Sequence, residues 1–412
     1  MKVLFLTSRL PWPPDRGDRL TVYHLMRAVS AAHEVVLVSF TDGREAAGAL
    51  AAVRKVCARV ETVLLPPARS WLQAWTGLAL PVPSQVSYYR SAALRSLTRR
   101  VAREERPDAV FAHAIRMAPY GADLAHPGGV LWLADSLGLA LERAREFAPW
   151  WKRPGLSWER WRVDRFTARM SRSFRETWAI SEADLEDLRR IGCAGLEWVT
   201  HGVDERLYEV THRPGNAPTV VFLGNLSVPH NVDAAVFAAR EIWPRVREGF
   251  PLARLRLVGA SPVQAVRDLG SLAGVEVTGP LPDLREMWAG ADVLLAPLRF
   301  STGIQNKVIE AMAAGVPVVT TTQAAAGVDA RDGEHLIVAE GAVALAEAVI
   351  RVLRDPAAAA ARTPGAREHV RRRFSWETAV RRFEALAAGP GRTGARASGA
   401  APAAGGEGIR HA

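Results

Sequence analysis

Residues 1–40 read MKVLFLTSRLPWPPDRGDRLTVYHLMRAVSAAHEVVLVSF, and this stretch decides the fold class. Residues 3–7 form a short, largely apolar run that ends before a proline-rich turn. Apolar residues spaced three to four apart predict a helix over 20–32, and residues 35–40 form a second apolar run. Strands that are apolar throughout, rather than at alternate positions, are buried on both faces. The stretch therefore predicts a strand, a helix and a strand of one parallel sheet.

The same alternation recurs along the rest of the chain. Two successive series of alternating strands and helices predict an α/β protein with two doubly wound, Rossmann-like domains. The further strands predicted in the first series are 62–65, 109–111, 130–133 and 177–180. The second series has predicted strands at 219–223, 254–258, 275–278, 293–295 and 317–320, with a helix over 232–247.

Glycine and proline residues separate the two series between 201 and 218. We therefore place the first domain at 1–208 and the second at 217–372. Apolar residues on one face predict a last amphipathic helix over 374–388. Residues 389–412 are mostly Gly, Ala, Pro and Arg without periodicity, and we expect them to form a disordered tail.

Composition narrows the class of protein. Apolar residues make up 49% of the 412 residues, which is enough for a large core, and the formal net charge is +10. A basic chain suits a polyanionic partner such as nucleic acid, an anionic membrane surface or a phosphorylated substrate, although GC-rich codon usage explains the charge equally well. No secretory signal and no apolar run of about 18 residues is visible. We expect a cytoplasmic protein that is soluble or peripheral on the membrane.

The most informative stretch for chemistry is PLRFSTGIQNKVIEAMAAGVP, residues 297–317. It follows a predicted strand and opens a predicted helix that Ser301 or Thr302 can cap. Gly303 and Ile304 would let a ligand approach the backbone, so that free N–H groups and the helix dipole face a phosphate. The stretch predicts an anion site at a helix N-terminus.

Three residues of this stretch are spaced four and three apart, which would put them on one helix face: Gly303, Lys307 and Glu310. Lys307 can neutralise a diphosphate, and Glu310 can accept hydrogen bonds from the two hydroxyls of a ribose. This combination describes a nucleotide-diphosphate site. The alternative is an exposed ion pair between Lys307 and Glu310 on an ordinary helix surface.

The stretch resembles the signature of the retaining glycosyltransferase family with the GT-B fold, whose E-x7-E motif ends in EAMAxGxPVV. Glu310 matches the second glutamate, and Thr302 stands at the position of the first. The form GIQNKVIEAMA, with PWPPDRGDR near the N-terminus, HGVD at 201–204 and FSW at 374–376, is similar to the PEP-CTERM/exosortase-associated sugar transferase branch.

The resemblance implies two domains that face a cleft. The first domain would lie on the acceptor side, the second would bind the nucleotide sugar, and the helix within 373–388 would return to the first domain. Thr302 would lie near the donor sugar, which places it among the catalytic candidates with Lys307. The branch usually has an acidic-aromatic motif after the strand near Val130, where this sequence has only ADSLG at 134–138.

Glycines after two strands complete the predicted donor site. Gly17 follows the first strand, and its loop would approach the donor phosphates with Arg16 or Arg19 nearby. The other donor-binding candidates are Gly224 and Asn225, after the first strand of the second domain, and Arg299. Arg299 would add its positive charge to that of Lys307 opposite the donor phosphates. A simple turn with solvated arginines is the alternative at Gly17.

His113 is the third catalytic candidate. It follows the strand at 109–111, at the carboxyl end where ligands bind in parallel sheets, and it could bond a hydroxyl of the donor sugar. Arg116 is a similar candidate for the sugar or the acceptor. A structural histidine is the alternative.

The sequence contains neither a metal-ligand cluster nor a D-x-D pair at a strand end, so we expect a metal-independent reaction with no cofactor besides the nucleotide-sugar substrate. Region 147–170 mixes four tryptophans with several arginines, which suits an anionic membrane surface. Trp71 and Trp75 favour the same interpretation. The alternatives are single-stranded nucleic acid, which we consider an unlikely partner, and tryptophans that face the core.

Together these features predict a glycosyltransferase that moves a sugar from a nucleotide-diphosphate donor to a lipid-linked or polysaccharide acceptor, in exopolysaccharide or cell-envelope glycan synthesis. Two other functions stay open on the same scaffold: a sugar-nucleotide epimerase, and a protein that binds nucleotide sugars without catalysis. Fold alone does not choose among them.

Overall fold

The structure is a computed structural model that describes residues 1–13, 17–43, 48–213, 215–281, 283–300 and 303–388. Four features of the sequence prediction lie outside these residues: Arg16, Ser301, Thr302 and the segment 389–412. The described residues form two parallel β-sheets, each covered by helices on both faces. The predicted α/β architecture of two doubly wound, Rossmann-like domains is confirmed.

The first sheet has seven parallel strands in the order β3-β2-β1-β4-β5-β6-β7. Its central strands are buried on both faces, as their continuous apolar sequences predict. The last strand was missed because it has three residues and is half-exposed. The strands are β1 Lys2–Thr7, β2 Glu34–Thr41, β3 Arg59–Leu64, β4 Ala109–His113, β5 Gly129–Ala134, β6 Glu176–Ala179 and β7 Leu196–Trp198.

The second sheet repeats this design with six strands in the order β10-β9-β8-β11-β12-β13. In both sheets the chain starts in the middle, moves outward in one direction, and then returns to continue on the other side. The two-residue β13 was not predicted. The strands are β8 Thr219–Leu223, β9 Arg254–Val258, β10 Val275–Thr278, β11 Val293–Ala296, β12 Val318–Thr320 and β13 Ile337–Val338.

Helices connect the strands and cover both sheets. Those before β8 are α1 Gly17–Ser30, α2 Ala49–Arg54, α3 Pro67–Thr76, α4 Ser84–Tyr88, α5 Ala92–Glu105, α6 Ala118–Ala122, α7 Leu137–Phe147, α8 Arg153–Ser171 and α9 Glu182–Arg190. Those after β8 are α10 Pro229–Phe237, α11 Trp243–Gly249, α12 Gln264–Arg267, α13 Leu284–Ala289, α14 Asn306–Ala314, α15 Thr322–Ala325, α16 Gly341–Arg354, α17 Pro356–Ala360, α18 Thr363–Arg373 and α19 Trp376–Ala388. In the part of the chain that the structure describes, no helix is long and apolar enough to cross a membrane.

The helix predicted over 232–247 is confirmed as a helical segment, but it is not one regular α-helix. It begins earlier, as α10, and a π-helical turn over Ala238–Ile242 separates it from α11. Pro244 lies in the first turn of α11 and has no N–H to donate to the preceding turn, which breaks the regular ladder of hydrogen bonds. A proline inside an apolar periodicity was the missed signal.

The last helix, α19, packs into the first domain. Phe383 is fully buried, and its ring centroid lies 4.9 Å from Trp178, 5.7 Å from Phe111 and 6.0 Å from Phe5. The indole Nε1 of Trp376 donates to the carbonyl of Val203 at 3.0 Å, which fixes the start of the helix against the interdomain segment. The chain therefore crosses from the second domain back to the first.

Candidate functional site

Each sheet has one point where the strand order reverses, and ligands bind at such points in doubly wound folds. In the first sheet the point lies between β1 and β4, and in the second between β8 and β11. His113 is the last residue of β4, and Gly224 follows β8 directly. Two predicted site residues thus lie at the reversal points of their sheets.

The helix that carries the predicted nucleotide site is α14, and it begins later than the sequence suggested. Its first residue is Asn306, and the side chain of its N-cap residue, Gln305, accepts no hydrogen bond from the helix. Gly303 therefore does not share a helix face with Lys307 and Glu310. It lies in the preceding loop with a φ of 64°, next to the buried Ile304. The capping prediction for Ser301 or Thr302 falls on residues that the structure does not describe, and Gln305 holds the N-cap position of α14.

Lys307 is buried, with 7% of its surface exposed. Its Nζ donates to Asn231 Oδ1 at 2.6 Å and lies 4.9 Å from the ring centroid of Phe222. Burial lowers the pKa of Lys307 to about 7, although the nearby Glu310 raises it. An anion bound here would restore the charged form of the amine.

Glu310 is also buried, and burial raises its pKa to about 8, with a further contribution from Asp204. No group in the described part of the chain donates a hydrogen bond to its carboxyl, and Lys307 bonds Asn231 instead. The alternative of an exposed Lys307–Glu310 ion pair is wrong. The carboxyl oxygens are therefore open to a hydrogen-bond donor from outside the protein, and a ligand with hydroxyl groups could supply it.

Asn231 is a site residue that sequence reasoning missed. Its Oδ1 accepts from Lys307, and its Nδ2 donates to the carbonyl of Asn225 at 3.1 Å. It thus connects α14 to the loop after β8. A Cβ on Gly224, after β8, would lie 2.8 Å from Asn231 Cγ, and one on Gly259, after β9, would lie 1.7 Å from Gly224 O. These two neighbouring loops therefore require glycine at both positions.

The predicted HGVD motif positions the start of α14. His201 is buried, and its Nε2 lies 2.6 Å from Asn306 Oδ1, in the first turn of the helix. Burial lowers the pKa of His201 to about 4, so the ring is neutral at physiological pH. The motif therefore joins the interdomain segment to the donor-binding candidates.

Asp135 brings the first domain to the same place. A Cβ on Gly303 would lie 2.2 Å from Asp135 Oδ1, so the loop before α14 touches the loop after β5. Asp135 is exposed as a residue, but protein atoms surround its carboxyl and displace part of its water. This displacement, together with the nearby Asp184, raises the pKa of Asp135 to about 6. Asp135 belongs to the ADSLG segment at 134–138, which replaces the acidic-aromatic motif of the sugar transferase branch.

Backbone strain marks the same edge of the first sheet. Ala134, at the end of β5, has a φ of 58°, and Ala114, directly after β4, has a φ of 65°. Residues with a side chain rarely adopt these angles, and such strain concentrates at functional sites.

A cavity of about 260 Å³ opens beside these strand ends. His113 lines it from the end of β4, where its ring is buried and lies edge-on to Trp132 at 6.0 Å. Arg116 lines it as well, and its Nε donates to Ser8 Oγ at 2.6 Å. Asp135 and Ser136 add polar groups to the wall. The volume suits a hexose-sized group.

The side chains of two predicted donor-binding residues bond to groups other than Lys307, Glu310 and Asn231. Arg299 donates to Asp233 through Nε at 2.9 Å, and its guanidinium covers the ring of Phe237 at 4.9 Å. Its charge is therefore paired on the second domain. Asn225 is turned toward its own loop, because its Oδ1 accepts from Ser227 N at 3.0 Å. Gly17 is the first residue of α1.

Two family models match the chain, one for each domain. Residues 17–200 match the model described as glycosyl transferase 4-like domain, and residues 217–355 match the model described as glycosyl transferases group 1. The two matched segments lie on either side of the segment that joins the two sheets.

Relatives with assigned activities match parts of the chain. It is 31% identical over 169 residues to phosphatidyl-myo-inositol mannosyltransferase of Mycobacterium leprae, a match covering 40% of this chain and 44% of that protein. It is 27% identical over 287 residues to glycogen synthase of Mycobacterium tuberculosis, covering 67% of each. The chain therefore spans less than half of the first relative.

Solved structures share the fold across nearly the whole chain. HepE of Anabaena in complex with UDP superposes with a TM-score of 0.66 at 17% identity, covering 94% of this chain and 100% of that one. HepE with UDP-glucose gives the same TM-score at 16% identity and the same coverage. At such identities the likeness establishes the two-domain architecture and nothing finer.

Proposed function

We propose that the chain is a group 1 glycosyltransferase with the GT-B fold that moves a sugar from a nucleotide-diphosphate donor to a lipid-linked or polysaccharide acceptor. The family models matched over 17–200 and 217–355 support the family, and the shared architecture supports the fold. The observation that carries this proposal is the pair of buried, oppositely chargeable side chains on α14. Lys307 and Glu310 lie one turn apart, and neither forms an ion pair with the other.

The chemistry of this pair fits the two polar parts of a nucleoside diphosphate. A diphosphate would give Lys307 the counter-charge that its burial requires, since the amide oxygen of Asn231 offers only a dipole. A ribose would offer two hydroxyl donors to the Glu310 carboxylate. HepE was solved with UDP and UDP-glucose, which supports a uridine nucleotide sugar as the first donor to test.

The proposed reaction breaks the bond between the sugar C1 and the diphosphate oxygen and forms a new bond between C1 and the acceptor oxygen. The proton of the acceptor hydroxyl leaves with the diphosphate. Negative charge grows on the departing phosphate, where Lys307 and the N-terminus of α14 can stabilise it. His113 and Asp135 can hold sugar hydroxyls from the first domain.

The finer assignments rest on the resemblance in sequence. It favours retention of configuration at C1 and a role in exopolysaccharide or cell-envelope glycan synthesis. The prediction of a reaction without a metal rests instead on the residue types in the sequence. We place the enzyme in the cytoplasm, free or on the inner face of the plasma membrane. Thr302 is the proposed neighbour of the donor sugar.

The test is a thermal-shift screen against nucleotide sugars, followed by a transfer assay with the donor that stabilises the protein most. We expect net transfer of labelled sugar to a lipid-linked acceptor and none with Lys307→Ala. Conversion of the donor to its epimer would instead identify an epimerase. Binding without transfer to any acceptor of a broad panel would identify a non-catalytic nucleotide-sugar protein.

A further inference from the structure

Seven tryptophans of the first domain are exposed, and six of them, with 42% to 77% of their surface exposed, lie in or next to α3 and α8. Soluble proteins rarely expose large aromatic side chains together, and a contiguous set marks a surface for a partner. The alternative that these residues face the core is wrong. The six are Trp71 and Trp75 of α3, Trp150 and Trp151 before α8, and Trp158 and Trp161 of α8.

One buried arginine joins these residues into a single surface. Arg162 is 1% exposed, and its Nη1 donates to the carbonyls of Gly77, Leu78 and Leu80 at 2.8, 3.1 and 3.1 Å. Trp158 Nε1 donates to the carbonyl of Leu78 at 3.1 Å. The turn after α3 is thus fixed against α8. We call the six tryptophans, with the exposed Leu72, Leu78 and Leu80, the tryptophan patch.

The charge around the tryptophan patch is positive. Between Glu61 and Glu104 the chain has no acidic residue. The two acidic residues of α8 are occupied inside the protein, because Glu159 accepts from Ser84 N at 2.7 Å and Asp164 pairs with Arg160 at 3.4 Å. The exposed cations near the patch include Arg69, Lys152, Arg153, Arg165 and Arg169, against the exposed carboxylate of Glu146, just before Trp150. Exposed aromatic rings with a basic rim match a negatively charged partner.

The packing of the rings indicates which negatively charged partner. Trp158 and Trp161 stack on each other with centroids 4.8 Å apart, while the guanidinium of Arg165 covers Trp161 at 5.1 Å. Arg162 lies 6.0 Å from the centroid of Trp158. Nucleic-acid bases stack on open ring faces, which this pair does not offer. Indole edges at the level of lipid headgroups need no open face.

We propose that the tryptophan patch docks the protein on the surface of an anionic lipid bilayer. The same helix also reaches the cavity near His113, because Val163, Asp164 and Thr167 of α8 line it together with Gln85 of α4. Docking would therefore bring the cavity close to an acceptor anchored in the bilayer. This last step rests on the proposed function, whereas the docking itself does not.

The experiment is co-sedimentation of the full chain with vesicles of phosphatidylcholine containing about 30% phosphatidylglycerol, and with vesicles of phosphatidylcholine alone. We expect binding to the anionic vesicles, weakened by salt. The double variant Trp150→Ala/Trp151→Ala should lower the bound fraction about fivefold or more. Leu252→Ala, at a residue 78% exposed on the second domain, is the matched control and should bind like the wild type.

A second variant, Arg165→Gln/Arg169→Gln, should weaken binding to anionic vesicles without removing a tryptophan. Equal binding of the wild type and both double variants would overturn the proposal, as would absence of wild-type binding. Binding of the wild type to a single-stranded oligonucleotide in place of vesicles would also overturn it. Donor-induced thermal stabilisation and transfer to a water-soluble acceptor should be unchanged in these variants. Failure of transfer by the wild type would contradict the proposed function and leave the vesicle result standing.

Discussion

Helix α14 and the tryptophan patch depart from ordinary burial in opposite directions. Lys307 and Glu310 are chargeable side chains inside the protein, while six tryptophans lie outside it. Buried charges need a partner of opposite charge. Exposed aromatic rings are in unfavourable contact with water, and a bound partner would remove that contact. Both departures indicate ligands, but of different kinds. The interior pair suits a small, polar, anionic molecule, and the exterior set suits an extended surface.

The tryptophan patch depends on a buried charge, that of Arg162. Removing this side chain should give the largest of the expected effects, a loss of unfolding free energy. Arg162→Ala would leave the carbonyls of Gly77 and Leu80 without this donor and would remove the charged partner of the Glu159 carboxylate, which should cost about 3–5 kcal/mol of unfolding free energy. Urea denaturation measures this. Arg165→Ala, on the exposed face of the same helix, should change stability by less than about 0.5 kcal/mol. Equal effects of both substitutions would show that Arg162 does not hold the patch together.

Substitution of Lys307 in α14 should change the rate of transfer rather than the stability of the protein. Lys307→Ala should lower kcat by about 100-fold or more, because charge builds on the diphosphate as the glycosidic bond breaks. Lys307→Arg should restore only part of it, since the guanidinium has a different shape. Arg299→Ala is the matched control, because Arg299 pairs with Asp233 outside the buried group. A kcat of Lys307→Ala within twofold of the wild type would remove Lys307 from the mechanism.

Donor affinity should fall as pH rises. The pKa of Lys307 is about 7 in the free protein, and a bound diphosphate would raise it, so binding takes up a proton. Above neutral pH the amine of Lys307 loses its proton, and the bound diphosphate then lacks its positive partner. Calorimetric titrations from pH 6 to pH 9 should show a loss of up to about 100-fold. Lys307→Met should remove most of this slope, and a slope that persists there would assign it to another group.

Removal of metal ions is expected to have no effect on the transfer reaction. The sequence prediction of a metal-independent reaction means that EDTA should leave transfer unchanged. Loss of turnover that magnesium or manganese restores would show a metal requirement that the sequence does not reveal.

The fold was predictable because its signals are local. Continuous apolar strands such as β1 and β8 show burial on both faces within five or six residues. The sequence likewise identified Lys307 and Glu310 by their residue types and spacing. It could not show that both are buried, because burial depends on distant elements; Lys307, for example, contacts Phe222 and Asn231.

The rest of the site was not predictable because it depends on contacts between distant segments. Asp135 meets Gly303 from the other domain, and nothing near either residue indicates that contact. Arg162 likewise binds carbonyls about 80 residues away, so region 147–170 alone could not show whether its tryptophans face the core or the solvent. Long-range packing decided each case.

The central claim is that α14 binds the nucleotide donor through Lys307 and Glu310. Its most direct test is calorimetric titration of Glu310→Gln with the donor that gives the largest thermal shift on the wild type. The variant keeps the shape of the side chain and removes its charge. We predict that affinity falls by about 10- to 100-fold, as expected for loss of charged hydrogen bonds worth about 1.5–3 kcal/mol, with an unchanged unfolding midpoint without ligand. Unchanged donor affinity in the folded variant would contradict the account.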